Sequence, residues 1–463
     1  MLFLSYMFNL FFVNINSQGQ KEITYNLEVS PVVKTINNNK ITQYKINGLD
    51  FAPIIKANKD DILIIKVKNN TDISTTIHWH GVLLPNNMDG VANVNMVAIK
   101  PHSSFTYKYQ VKQVGTYWYH AHGLEESQGI YGGIIFKDKD AKENQEEDNL
   151  LIYSGEIDKS PLEIVNSLMP KATTHSNENQ HSHHHMQMQD NKQDNMQSMN
   201  MKNHYSDIIY ANYLINGKPD YVEFKNIQHN KIKLRIVNAY VDGYINFVYS
   251  GGEIEVIASD GIDVKPKKLK TLRVAMGETY DIILNVPNNK SYELIAFMLG
   301  TNKYSRVIVG KGKLIKLTNY DYNNYSQEQP YKYLQSINYE WLNFDKFSNM
   351  QEYKLSLKGN HKDYNWSITQ NKKAIDNLNI KAGDKVKITI TNHTHMPHPI
   401  HLHGYFFKVV NNPNVLIKHT FNLDHMESLQ MEFVADENGK WLLHCHNLFH
   451  MISGMMITIN VEK

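Results

Sequence analysis

Near its carboxyl end the chain contains the sequence Leu443-His444-Cys445-His446-Asn447-Leu448-Phe449-His450-Met451-Ile452-Ser453-Gly454-Met455. Cys445 is the only cysteine among the 463 residues, so it cannot form an intramolecular disulfide. A cysteine thiolate, two imidazoles and a distant thioether are the ligands of a blue-copper electron-transfer site. Cys445, His450 and Met455 would supply three of them, and one further histidine must come from elsewhere in the chain.

The two histidines beside Cys445 point to a second metal site. If residues 441–446 form a strand, its side chains alternate between the two faces, so His444 and His446 lie opposite Cys445. One strand would then carry a redox copper on one face and present two imidazoles to another metal on the other. The alternative is a strand with a buried free cysteine and surface histidines. That alternative leaves three further histidine clusters unexplained.

Composition predicts a folded protein of two or three domains, because 41% of the residues are hydrophobic and 20% are charged. The net charge of +2 comes with no basic stripe, so we expect no nucleic-acid partner. The 23 histidines and 19 methionines exceed what packing explains.

Residues 1–19 are predicted to be a signal peptide. The apolar run of residues 1–13 is too short to span a bilayer, and Ser17-x-Gly19 offers a small-x-small cleavage site. The alternative is a start codon placed too late. We therefore expect a periplasmic or otherwise extracytoplasmic protein without stable membrane insertion.

Short runs with alternating polarity and many β-branched or aromatic residues predict an all-β chain of sandwiches or barrels. The expected domains are residues 20–145, 146–316 and 351–463, with a linker at 317–350. Residues 171–204 are rich in histidine and methionine but have little to bury, which predicts a flexible insertion in the second domain. The run Val386–Ile390 resembles Ile62–Val67, and each precedes a histidine motif by roughly a dozen residues, which indicates duplication.

Four histidine motifs must be read together: His78-Trp79-His80-Gly81, His120-Ala121-His122-Gly123, His398-Pro399-Ile400-His401-Leu402-His403-Gly404 and the C-terminal stretch. On a strand, His-x-His places both imidazoles on one face, which suits adjacent metal ions. Of their ten histidines, His398 and His450 complete the blue site. Zinc is redox-inert and seldom needs eight imidazoles, so the remaining eight indicate a copper cluster.

In these four motifs, present in order, the chain resembles the multicopper oxidases. Within that family it resembles bacterial copper-resistance protein A-type oxidases, through Tyr213–Gly217, Ala258–Gly261, Gly277–Asp281, Trp441–His450 and the insertion. The resemblance implies three cupredoxin-like Greek-key domains and an enzyme that reduces O2 to water with four coppers per monomer. It implies a type 1 copper on His398, Cys445, His450 and Met455, a type 2 copper on His78 and His401, and a type 3 pair on His80, His120, His122, His403, His444 and His446.

Asp89, in Met88-Asp89-Gly90, matches a carboxylate that the family places near its copper cluster, which implies proton delivery. The alternative is an Asp-Gly turn. The position after His450 is occupied by Met451, so the acid that some related metal oxidases carry there is missing. By the same resemblance, electrons enter at His450 and pass from Cys445 to His444 and His446.

The electron donor is expected to be Cu(I), in copper tolerance, because thioethers prefer soft Cu(I) and imidazoles accept either oxidation state. The candidate residues for gathering copper lie in the insertion: His181, His183, His184, His185, Met186, Met188, Met196, Met199 and Met201. A biased linker is the alternative reading of this segment. The alternative functions are a laccase-like phenol oxidase or a ferroxidase. A non-enzymatic, copper-sequestering protein would need no such cluster. We expect a monomer.

Overall fold

The computed structural model describes residues 11–17, 19–139, 141, 148–169, 205–219, 221–225, 227, 229–287, 289–318 and 326–463. Strands dominate this part of the chain, so the all-β prediction is confirmed. No helix within it is long and apolar enough to cross a membrane. The predicted insertion at residues 171–204, with its histidines and methionines, and the first ten residues of the predicted signal peptide lie outside the described residues.

The first unit consists of two sheets with a core between them. Its strands are β1 (Phe11–Ile15), β2 (Lys21–Ile36), β3 (Asn39–Ile46), β4 (Ile55–Asn58), β5 (Ile62–Asn69), β6 (His78–His80), β7 (Ser104–Gln110), β8 (Gly115–His120) and β9 (Tyr131–Lys137). One sheet has the order β1-β2-β5-β7, with β3 on β2, and the other has the order β4-β9-β8-β6. Strand β5 alternates buried and more exposed positions, as expected for a sheet with one face on the core.

The second unit repeats the two-sheet plan. Its strands are β10 (Leu150–Glu156), β11 (Asn212–Ile215), β12 (Tyr221–Phe224), β13 (Lys231–Asn238), β14 (Ile245–Tyr249), β15 (Ile254–Ser259), β16 (Ile262–Leu269), β17 (Thr271–Val274), β18 (Thr279–Asn285), β19 (Lys290–Met298), β20 (Tyr304–Gly310) and β21 (Lys313–Ile315). The sheet orders are β11-β10-β13-β18-β15-β16 and β12-β20-β19-β14-β17, with β21 on β19. Helix α1 (Pro161–Leu168) is capped at its N-terminus by Ser160, whose side chain forms a capping box with Glu163.

The third unit contains the C-terminal metal motif. Its strands are β22 (Met350–Lys358), β23 (Ser367–Gln370), β24 (Lys373–Ala374), β25 (Asn377–Lys381), β26 (Lys385–Asn392), β27 (His398–Leu402), β28 (Phe407–Val409), β29 (Ile417–Lys418), β30 (Thr420–Leu423), β31 (Ser428–Val434), β32 (Gly439–Cys445) and β33 (Met456–Glu462), with helix α2 (Leu448–Ile452). The sheet orders are β24-β23-β22-β26-β31-β28-β29 and β25-β33-β32-β27-β30. The strand predicted over residues 441–446 is confirmed as far as Cys445.

Residues 326–350 hold the second and third units together. The Tyr331 hydroxyl donates to Glu278 of the second unit and accepts the Asn422 N–H of the third, at 2.7 and 3.0 Å. Ser336 forms a bridge with Val264 and donates its N–H to the Val415 carbonyl. Tyr331 and Ser336 therefore anchor the segment to both units, while much of the rest of it, such as Tyr333 and Phe347, is exposed.

Candidate metal centres

Cys445 lies at the centre of a buried group of metal-ligating atoms. Its Sγ is 3.6 Å from Nδ1 of His398 and 3.8 Å from Nδ1 of His450, and the two ring nitrogens are 3.1 Å apart. The pairing of β27 with β32, with Ile400 opposite Cys445, brings His398 to this position. All three side chains are fully buried. The geometry is that of three ligands converging on one point.

Two local features position the other ligands of this group. Asn447 caps α2 by accepting the N–H groups of Phe449 and His450, which fixes the turn that carries His450. Met455 is fully buried, donates its N–H to the His450 carbonyl and accepts the Cys445 N–H. These two backbone hydrogen bonds hold Met455, the methionine predicted as a ligand, next to Cys445 and His450.

On the opposite face of β32, strand pairing assembles the other histidines. His401 of β27 is opposite His444 of β32 in the third unit. His78 of β6 is opposite His120 of β8 in the first unit. Each unit thus contributes two paired strand ends that carry imidazoles.

The two sets meet across the boundary between the first and third units. The rings of His80 and His401 stack with centroids 3.8 Å apart, and those of His78 and His403 stack at 3.9 Å. Groups with ligand atoms within 4.8 Å of one another include His78, His80 and His120; His78, His401 and His403; and His122, His403 and His444. His446 joins them, with its ring centroid 4.8 Å from that of His80.

The ring nitrogens of this cluster are suited to bind metal. Several donate from Nδ1 to a backbone carbonyl, as His78 does to Asp89, His120 to Ala121 and His444 to Cys445. That hydrogen bond leaves Nε2 as the free lone pair, which is the usual arrangement of a ligating histidine. In the described part of the chain, seven nitrogens of these histidines are buried without a hydrogen-bond partner: Nε2 of His78, His120, His122 and His401, Nδ1 of His80 and both of His446.

Unpartnered buried nitrogens cost about 1–3 kcal/mol each, and a metal ion at each convergence point would satisfy them. Burial, and after it the neighbouring imidazoles, hold the pKa of His80, His401 and His446 well below the ordinary value. Burial likewise lowers the pKa of His444 to about 3. The rings are therefore neutral at physiological pH, as metal coordination requires. The residues present fit a set of copper ions.

Asp89 lies beneath this cluster and is almost fully buried. Its Oδ2 is 3.0 Å from Nδ1 of His403 and accepts a hydrogen bond from Asn95, while Oδ1 is 3.3 Å from Nδ1 of His78. One carboxylate thus contacts a histidine of each unit. The Asp-Gly turn also exists, since Gly90 has φ +91° and a Cβ there would be 1.9 Å from the Ile77 carbonyl.

One histidine of the site was not predicted from the sequence. His419 is fully buried, its Nε2 has no hydrogen-bond partner among the described residues, and it groups with His80 and His401 within 4.8 Å. Its backbone carbonyl also accepts from Nδ1 of His401 at 2.8 Å. The N–H of His419 donates to Asp260 of the second unit, so that unit holds it in place.

A second unpredicted residue lies on the Cys445 side. Oδ2 of Asp207, in the second unit, accepts a hydrogen bond from Nε2 of His450 at 2.9 Å. The same carboxylate contacts Nε2 of His361 at 2.8 Å and the Tyr364 hydroxyl at 2.6 Å. Burial opposes its ionisation, but the hydrogen bonds from His361 and His450 keep the pKa of Asp207 below its ordinary value. It is an anionic group between a candidate copper ligand and the surface.

Comparison with known proteins shows which family has this arrangement. Multicopper oxidase family profiles match residues 29–141, 180–308 and 347–463. The chain is 24% identical to a copper resistance protein A homolog of Pseudomonas syringae, over 96% of this chain and 93% of that protein. It is 27% identical to the multicopper oxidase MmcO of Mycobacterium tuberculosis, over 87% and 80% of the two chains.

A solved laccase from Botrytis aclada has the same fold, with a TM-score of 0.73, 21% identity and coverage of 95% of this chain and 87% of the laccase. Its cupredoxin-like domains match the three two-sheet units described above, as predicted. The three profile matches together cover most of the chain. The chain therefore belongs to the multicopper oxidase family and is an oxidoreductase that uses copper and O2.

Proposed function

We propose that this oxidase takes electrons from Cu(I), in copper tolerance, and uses them to reduce O2 to water. The observation that carries the proposal is the cavity beside His450. It has a volume of about 250 Å³ and is lined by Ser167, Leu168, Ser206, Asp207, His361 and Tyr364. The carboxylate of Asp207 and the imidazole of His361 in its lining favour a cationic donor over a neutral phenol.

The position of this cavity in the sequence supports the same donor. Ser167 and Leu168 precede the predicted insertion, and Ser206 and Asp207 follow it. The described residues on both sides of this segment, in positions 167–168 and 206–207, therefore line the cavity beside His450. Thioethers and imidazoles of the segment between these residues would bind copper ions, which supports Cu(I) as the proposed donor.

The proposed ligands are those that the sequence predicted. His398, Cys445, His450 and Met455 would hold the type 1 copper and His78 and His401 the type 2 copper; His80, His120, His122, His403, His444 and His446 would hold the type 3 pair. Bound copper would supply one-electron redox chemistry at the Cys445 centre and O2 reduction at the histidine cluster.

The chain's own residues link the two centres. His444, Cys445 and His446 are consecutive, so only the backbone of one strand end separates the sulfur from two cluster imidazoles. Asp89 Oδ2, 3.0 Å from His403, is the proposed proton carrier on the O2 side. Reaction outside the cytoplasm is part of the proposal, because the apolar run of residues 1–13 has the length of an export-signal core. The end of this run forms part of β1, which pairs with β2 but leaves Phe11, Phe12 and Val13 exposed.

Oxygen consumption tests the donor. Three copper-loaded proteins are each given Cu(I), Fe(II) or a phenol under matched conditions. They are the wild type, a variant lacking residues 171–204 and the variant Asp207→Asn. We expect the wild type to use Cu(I) best, and both variants to lose Cu(I) turnover while keeping phenol turnover. Asp72→Asn is the matched control, since Asp72 is an exposed carboxylate in the first unit. A preference for the phenol or Fe(II), or equal loss with every donor, would contradict the proposal.

A further inference from the structure

The first and third units share a loop frame built on Asn-x-Thr. Asn69 and Asn392 are both fully buried, and the side-chain oxygen of each accepts from the N–H and hydroxyl of the threonine two residues on. The Asn69 amide also donates to the carbonyls of Ile99 and Lys100, and the Asn392 amide to those of Leu423 and Asp424. In each unit, the asparagine therefore joins its own loop to a second loop, at residues 99–100 in the first unit and at residues 423–424 in the third.

The exposed side chains on these two loops differ between the units. In the first unit, the exposed side chains of Asp72 and His102 contact each other, with Oδ1 and Nε2 3.0 Å apart. In the third unit, the residue three positions after Asn392 is His395, and the second loop carries His425 and Met426. Met426 and His102 are at matching positions, and both have φ +57°. A carboxylate and an imidazole in one unit are replaced by two imidazoles and a thioether in the other.

These side chains are exposed, and the two imidazoles lie next to each other. The rings of His395 and His425 have centroids 4.9 Å apart with planes tilted by 33°. Both residues are exposed, and the Met426 side chain is 60% exposed. Two imidazoles this close can share one ion, since metal–nitrogen distances are about 2.0–2.1 Å. Nδ1 of His425 donates to the Thr394 carbonyl, so its Nε2 is the free lone pair, as in ligating histidines.

We propose that His395 and His425, with the thioether of Met426, form a surface copper site outside both metal centres, with preference for Cu(I). Two imidazoles bind either oxidation state, and the added thioether favours the soft cuprous ion. This surface site is separate from the cavity at Asp207: the cavity lies beside His450, whereas the surface site is linked to His398.

Thr394 connects this surface site to the Cys445 group. Its carbonyl accepts from His425, and its hydroxyl is 2.6 Å from Nε2 of His398. With copper held by His398, Cys445 and His450, a cuprous ion at the surface site would give one electron to that copper, with Thr394 between the two sites. It would leave as Cu(II) once its bonds to the imidazoles and the thioether break, and no proton is transferred. This redox use rests on the proposed function, whereas the binding itself does not.

Competition against a chromogenic Cu(I) chelator, using the copper-loaded full chain, tests the binding. The variant His395→Gln/His425→Gln should bind one cuprous ion fewer, and Met426→Leu should weaken that ion's binding by about tenfold. Cu(II) affinity should be unchanged by Met426→Leu. The matched control is Asp72→Asn/His102→Gln on the equivalent frame, which should bind as the wild type does. Equal numbers of cuprous ions on the double variant and the wild type would overturn the site.

Steady-state kinetics on the same variants test the redox use. We expect the double variant to raise KM for Cu(I) by about tenfold or more, with phenol turnover and the blue absorption unchanged. An unchanged KM despite the lost ion would overturn the electron route through Thr394. Absence of Cu(I) oxidation by the wild type would instead contradict the proposed function, and the chelator titration would still decide the binding site.

Discussion

At the scale of single residues, Asp89 contacts one histidine from each side of the unit boundary. Asp89→Asn keeps the size and the hydrogen-bonding capacity of the side chain but removes the carried proton and the charge. We expect O2 reduction to slow by about 10²-fold or more, the lower range for a positioned proton donor, while the blue absorption at Cys445 is unchanged. Single-turnover reoxidation by O2 measures this, and a rate equal to that of the wild type would remove the role.

Asp148 gives a residue-scale prediction about acid stability. Its burial raises its pKa, but hydrogen bonds from Lys56 and Lys137 outweigh that effect, so the pKa of Asp148 is lowered. A lowered folded-state pKa stabilises the protein above the unfolded pKa of about 3.9, and this contribution is lost as pH falls through the folded value. Asp148→Asn should therefore reduce the free energy of unfolding at neutral pH, with the difference shrinking in acid. Denaturant titrations at pH 7 and below pH 4 measure it; a difference that grows in acid would contradict it.

The same scale shows what sequence can and cannot predict about the site. His-x-His and the Cys445 spacing are local properties of one strand, so the structure brings these predicted ligands together. His419 stands alone beside Lys418, without such spacing, and reaches the cluster only because β30 pairs with β27. Asp207 follows the insertion with no motif, and its contact with His450 depends on packing between units. Long-range contacts of single polar residues leave no periodic signal.

At the scale of elements, a buried charge group fixes β29 and β30 against the second unit. The Lys418 ammonium is fully buried, 2.7 Å from Glu278 and 3.2 Å from Asp260. Lys418→Met leaves two carboxylates buried without their cation, so we expect the free energy of unfolding to fall by ~3–5 kcal/mol. Urea denaturation measures this. Lys332→Met, which removes an exposed ion pair with Glu328, is the control and should change little. Equal effects of the two substitutions would contradict the prediction.

The strands themselves could be predicted from the sequence, but their pairing could not. Period-2 alternation marks a strand such as β5 in the sequence. The register that sets His401 opposite His444 depends on which strands pair, and that information is not local. Residues 326–350, polar and rich in tyrosine, gave no sign that Tyr331 would be buried between two units.

At the scale of the whole molecule, the three units pack on each other as well as on themselves. The core of the first unit includes Ile262 from the second and Phe406 and Ile417 from the third. Metal bound across such a boundary stabilises the docked state by mass action. Stripping copper should therefore lower the free energy of unfolding by ~3 kcal/mol or more, seen as a lower Tm in calorimetry. Readdition of copper should restore the Tm, and a Tm indifferent to copper would contradict a metal-bridged boundary.

The proposed ligands of the Cys445 centre all belong to the third unit, whereas those of the histidine cluster are divided between the first and third. Maturation can accordingly proceed in two stages. The third unit supplies every proposed ligand of the blue chromophore, and Asp207 of the second unit accepts a hydrogen bond from His450. The histidine cluster, by contrast, is complete only when the first unit has docked. A protein in which the first unit is not correctly docked would show the blue absorption but would not consume oxygen. The blue absorption alone therefore does not demonstrate an active enzyme.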